Sequence, residues 1–120
     1  MDMMVGKPYS FKDFNCWDYV CEIRKQVGLN TELFSHNDLY SAYATVTREM
    51  AENCAGLSLV ESHRDFDVAI VKKETGKRPL YHVGVVIGKH VFHCSMSAKQ
   101  VVYESLIAFE TGYDELTIWR

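Results

Sequence analysis

Residues 82–95 read His82-Val83-Gly84-Val85-Val86-Ile87-Gly88-Lys89-His90-Val91-Phe92-His93-Cys94-Ser95. Two runs rich in β-branched residues flank a Gly-x pair, the pattern of a β-hairpin closed by a two-residue type II′ turn. With Gly88 and Lys89 as the loop, Ile87 pairs with His90, Val86 with Val91, Gly84 with His93 and His82 with Ser95. Side chains alternate across a strand, so His82, Gly84, Val86, Val91, His93 and Ser95 share one face, while His90, Phe92 and Cys94 go to the other. His82 and His93 then become diagonal neighbours, roughly 7–8 Å apart along the backbone. Gly84 leaves the space between them open. One imidazole can hydrogen-bond the other, fixing its tautomer and leaving the far nitrogen free to take a proton. A strand histidine is also commonly a hydrogen-bonded or surface residue with no chemistry of its own.

Working outward from the hairpin, its first strand begins at Leu80, and Phe66 to Val71 form another strand before it. The Lys72 to Pro79 stretch between them is a turn region, and Lys72, Lys73, Lys77 and Arg78 belong there as solvated loop charges. Downstream, Gln100 to Glu104 and Glu115 to Trp119 read as two more strands, with an irregular or short helical piece over Ser105 to Thr111.

Upstream the period becomes helical. Cys16, Val20, Ile23 and Val27 recur at i, i+4, i+7 and i+11, which predicts a helix over 16–27 with Gly28 at its C-terminal cap. Leu39, Tyr43, Val46 and Met50 predict a second helix over 36–53, with Ser35 and Asp38 as a capping box and Gly56 at its end. Residues 5–14 form an ordered lead-in loop. Helices come first and an antiparallel sheet after, so the chain reads as one α+β domain spanning residues 1–120.

The stretch Asn15-Cys16-Trp17-Asp18-Tyr19-Val20-Cys21 puts a thiol in the first turn of the first helix. There the helix dipole and the unpaired N–H groups favour thiolate over thiol, making Cys16 a candidate nucleophile. A cysteine on an apolar helix face is equally at home as a small hydrophobe. Of the others, Cys21 lacks the helix-end advantage, Cys54 falls at the negative end of the second helix, and Cys94 points away from the histidines. Cys16 meets His82 and His93 if its helix packs on their face of the sheet. Base, orienting partner and thiol together are what cysteine catalysis needs.

Composition narrows the function classes. The 120 residues carry a formal charge of −3, with 48% hydrophobic and 24% charged residues, which suits an ordinary globular protein and gives no basic face for nucleic acid. Four cysteines without a C-x-x-C pair fit a reducing compartment. His90, His93 and Cys94 alternate between faces, a poor metal set, and no cofactor motif is present. The N-terminus lacks the apolar and basic pattern of a secretion signal and no run is long enough to span a bilayer, so the expectation is a protein cytoplasmic as synthesised.

Gly6-Lys7-Pro8-Tyr9, Asn15-Cys16-Trp17-Asp18-Tyr19-Val20, Asp67-Val68-Ala69-Ile70, His82-Val83-Gly84-Val85-Val86-Ile87-Gly88 and Phe92-His93-Cys94-Ser95 together resemble the ordered blocks of the NlpC-type cell-wall cysteine peptidases, a branch of the papain-like superfamily. The resemblance implies a papain-like fold with Cys16 as nucleophile, His82 as general base and acid, and His93 orienting His82. It also implies an oxyanion role for Tyr9 beside the Cys16 backbone N–H, although a tyrosine in such a loop also serves as packing. The implied activity is cleavage of an amide in the peptide stems of peptidoglycan. Where members commonly have Asp-Cys-Ser-Gly, this chain has Asn15-Cys16-Trp17-Asp18, similar to phage tail-associated members, with Trp17 either narrowing the cleft or filling the core. A phage or prophage tail, or a secretion partner, would then deliver the domain to the wall. The alternatives are a structural or assembly protein on the same fold, and an amidase or deamidase using the same residues.

Overall fold

The computed structural model describes residues 1–31, 56–76 and 80–120. The helix expected over 36–53 lies outside the described residues, as do Cys54, Lys77, Arg78 and Pro79. The described elements are α1 (Cys16–Gln26), β1 (Leu59–Val60), β2 (Val68–Lys73), β3 (Leu80–Ile87), β4 (His90–Ser95), β5 (Gln100–Ser105), α2 (Leu106–Glu110) and β6 (Glu115–Trp119).

Helix α1 starts where its sequence says it should. The Asn15 side chain accepts hydrogen bonds from the backbone N–H groups of Trp17 and Asp18, each at 3.0 Å, while Asp18 reaches back to the Asn15 N–H at 3.0 Å. This reciprocal cap satisfies amides that a helix otherwise leaves unpaired. Trp17, Tyr19, Val20 and Ile23 are fully buried, so the apolar stripe is the inner face and Trp17 is core.

The strands form one antiparallel sheet in the order β1-β6-β2-β3-β4-β5. From β2 to β5 the chain is a meander, and β6 returns past α2 to pair with β2. Strand β2 runs two residues later than Phe66–Val71, because Phe66 takes a left-handed φ of 73° and Asp67 turns its carboxylate onto the Arg64 N–H at 2.7 Å. Pairing then carries through Lys72 and Lys73, opposite Tyr81 and Leu80.

The β3–β4 turn is the expected two-residue one. Gly88 has φ 60°, the left-handed value that the first turn position requires and glycine adopts without strain. Ile87 pairs with His90, Val86 with Val91 and Val85 with Phe92. The ladder ends there, so the expected Gly84–His93 and His82–Ser95 pairs do not form. Meanwhile β2 stays paired with β3 out to Leu80, and β4 with β5 out to Ser95. The β3–β4 ladder therefore stops short of the level of His82 and His93.

The two faces bury different partners. On one, α1 packs with Val68, Ile70, Tyr81, Val83, Val85, Cys94 and Val101. On the other, Ala69, Val71, Val86 and Val91 pack with Phe109 of α2. Burying each such valine contributes about 1.5–3 kcal/mol, and the first face is the more continuously apolar, which draws the longer helix to it.

Candidate active site

Both histidines lie on the α2 face. Phe109 packs against each, with ring centroids 5.7 Å from His82 and 4.9 Å from His93. Helix α1 thus packs on the sheet as expected, but on the face opposite the imidazoles rather than on theirs. The polar run His82, Gly84, His93 and Ser95 offers that helix too little to bury.

His82 Nε2 lies 2.8 Å from His93 Nδ1, so the expected imidazole pair is present although the ladder below it has ended. The chain of contacts continues: His93 Nε2 lies 2.8 Å from the Glu104 carboxylate. Glu104 belongs to no motif, and register alone points to it. Strand β5 sets Val102 opposite His93 and Glu104 opposite Val91, which puts Glu104 diagonal to His93 on the same face.

Gly84 does not leave open space. A methyl group there would stand 2.5 Å from Val91 Cγ1, 2.9 Å from the Phe92 carbonyl oxygen and 3.1 Å from His93 Cβ. The missing side chain lets β3 and β4 approach closely here.

Burial pushes the His82 imidazole down to about 3, and neighbouring His93 adds to the effect. His93 is also lowered by burial, which outweighs the opposing pull of the Glu104 carboxylate. Both rings are therefore neutral at pH 7. His82 Nδ1 makes no hydrogen bond to a described residue and carries whatever basicity the pair can deliver.

Cys16 is the first residue of α1 and is 3% exposed. Two of the other thiols are poor nucleophiles. Burial and Asp18 push Cys21 far up, and burial, then Cys16 and Asp18, push Cys94 up to about 12. Cys94 also points its sulfur at the Phe14 carbonyl, 3.6 Å away. Tyr9 sits in the lead-in loop, tied by its N–H to the Lys99 carbonyl at 3.0 Å. Burial, then Cys16, Cys94 and Asp18, push its phenol up to about 12, so it remains a hydroxyl donor. Tyr113, packed on the histidine side, is raised by burial, then by Cys16 and Glu104.

Among the described residues no group of three or more His, Cys, Asp or Glu side chains is arranged to hold a metal ion, and no helix is long and apolar enough to cross a membrane. A cavity of about 440 Å³ lies along the outer side of α1, lined by Lys7, Asp18, Cys21 and Lys25 among others. Its lining includes neither His82 nor His93.

A similar solved structure is the NlpC/p60 domain of the peptidoglycan hydrolase SagA, 17% identical with a TM-score of 0.56, the match covering 95% of this chain and 87% of that one. At that identity the likeness is one of fold: the chain has the α+β architecture of an NlpC/p60 domain. No protein-family model matches the chain, and no curated protein matches it.

Proposed function

We propose that residues 1–120 form one cysteine hydrolase domain that cleaves amide bonds in the stem peptides of peptidoglycan. The observation that carries this reading is the 2.8 Å contact between His82 Nε2 and His93 Nδ1, in a fold shared with a peptidoglycan hydrolase domain. In this reading Cys16, the first residue of α1, works with His82 as thiol and base.

In this mechanism His82 Nδ1 takes the Cys16 thiol proton as sulfur attacks the scissile carbonyl, forming a C–S bond and an oxyanion. The Tyr9 hydroxyl and the Cys16 N–H donate to that oxyanion. The Asn15 cap takes the amides of Trp17 and Asp18 instead. His82 then gives its proton to the leaving nitrogen as the C–N bond breaks. Water, deprotonated by His82, attacks the thioester; the C–S bond breaks, the acid departs and the thiol is restored. The resemblance of the Asn15-Cys16-Trp17-Asp18 block to tail-associated members supports a phage tail as carrier, with a secretion partner as the other route.

A thiol-reactive probe at neutral pH is expected to label the protein, to keep labelling Cys21→Ala and to lose the label in Cys16→Ala. Purified peptidoglycan incubated with the protein should release fragments whose masses mark a cut within the stem peptide. A cut between glycan and peptide would make the activity an amidase. A non-catalytic structural role on the same fold is favoured by one observation, the 3% exposure of Cys16; unlabelled Cys16 and undigested peptidoglycan would establish it.

A further inference from the structure

Glu104 is the one acidic group in the hydrogen-bonded chain that runs from β5 through β4 to β3. Its side chain is 35% exposed whereas that of His93 is 7% exposed, so of this pair the carboxylate sits at the solvent end and the His93 imidazole sits inside. An ionised carboxylate only accepts hydrogen bonds. The proton in the 2.8 Å contact therefore belongs to His93 Nε2. A neutral imidazole carries one N–H, so His93 Nδ1 must be the acceptor in its own 2.8 Å contact with His82 Nε2. The proton there belongs to His82 Nε2, and His82 Nδ1 is left as a bare lone pair. One carboxylate thus dictates the direction of every bond in the chain. Without it, His93 is free to carry its proton on Nδ1, which would oblige His82 to accept at Nε2 and to place its own proton on Nδ1, where it cannot act as a base.

We propose that Glu104 is a positioning residue that fixes the tautomers of His93 and His82, so that His82 presents Nδ1 as the base. This rests on the reading of Cys16 and His82 as thiol and base, and deepens it by a fourth group. Phe109 packs against both rings and offers no competing hydrogen bond. Tyr113, which packs on the same face, stays neutral because burial, Cys16 and Glu104 all raise it. Glu104 is therefore the group that sets the polarity of the chain.

The test is a long-range ¹⁵N–¹H spectrum of the protein labelled at its histidines, taken near pH 7 beside the rate at which iodoacetamide alkylates Cys16. The parent should show both His82 and His93 protonated at Nε2 and bare at Nδ1. In Glu104→Ala the acceptor is gone, and in Glu104→Gln an amide can present either its oxygen or its NH₂ group. Both variants should show mixed tautomers at His93 and His82. Alkylation of Cys16 should slow about tenfold or more, the size expected when an outer orienting partner is lost. Either folded variant keeping the parent tautomers and the parent alkylation rate would overturn the proposal. If Cys16 in the parent reacts no faster than Cys21, the reading of Cys16 as nucleophile fails instead, and the tautomer shift still decides the role of Glu104.

Discussion

At Gly84 a methyl group has no room, because Val91 Cγ1, the Phe92 carbonyl and His93 Cβ would all lie within 3.1 Å of it. Two of those neighbours belong to a strand backbone or to the root of a side chain and cannot swing aside. Gly84→Ala is expected to cost about 1–3 kcal/mol, the usual cost of overpacking a filled site. A urea titration followed by tryptophan fluorescence would show it as a lower midpoint. Because the strain falls on His93 itself, the same variant should also lose Cys16 reactivity. The pairing of His82 with His93 was legible in the sequence from strand alternation and turn length alone. Glu104 was not, since it is a lone acid on a strand read only by its alternation, and it gains meaning only once β5 is registered against β4.

Among the elements, α1 depends on its first turn. Asn15 is fully buried, accepts from two amides and donates its own Nδ2–H to the Phe11 carbonyl at 3.1 Å. Asn15→Ala removes these bonds and should destabilise the protein by about 1–2 kcal/mol, read as a lower urea midpoint with an unchanged slope. The residues mark this helix clearly, from the capping pair at positions 15 and 18 to the apolar stripe. Which face of the sheet it covers could not be read from its own period, because that depends on the apolar content of strands far along the chain. The early end of the β3–β4 ladder was hidden for a similar reason. Alternation continues through His82 and Gly84 whether or not the β3–β4 ladder does.

For the whole molecule, the buried His93 and half-buried His82 imidazoles couple stability to pH. Burial lowers both, His82 to about 3 with His93 adding to the effect, against about 6.5 for an unfolded histidine. Below the unfolded value the unfolded chain takes up protons that the folded one refuses. The stabilising contribution is therefore complete above about pH 6.5 and is lost as the pH falls toward the folded values. The free energy of unfolding should fall between pH 7 and pH 4.5, by at most about 1.4 kcal/mol per pH unit for each histidine and less where solvent screens the ring. His82→Gln should flatten that dependence, and an equally steep fall in the variant would assign it elsewhere. At the far end of the sheet, Arg120 holds buried Asp67 through Nε at 3.0 Å and Nη2 at 2.9 Å. This clamp ties the residue after β6 to the residue before β2. The α+β class followed from the order of periodicities along the chain, whereas this long-range clamp leaves no local trace.

The proposed chemistry treats Cys16 and His82 as one unit, and residues that act as a unit do not lose activity additively. The measurement is the rate at which purified peptidoglycan releases new amino groups in the presence of the parent, Cys16→Ala, His82→Ala and the double variant. Each single variant is expected to fall at least about a hundredfold, with the double variant no lower than either. Digestion by the single variants at the parental rate, in protein that remains folded, would contradict a thiol and imidazole acting together.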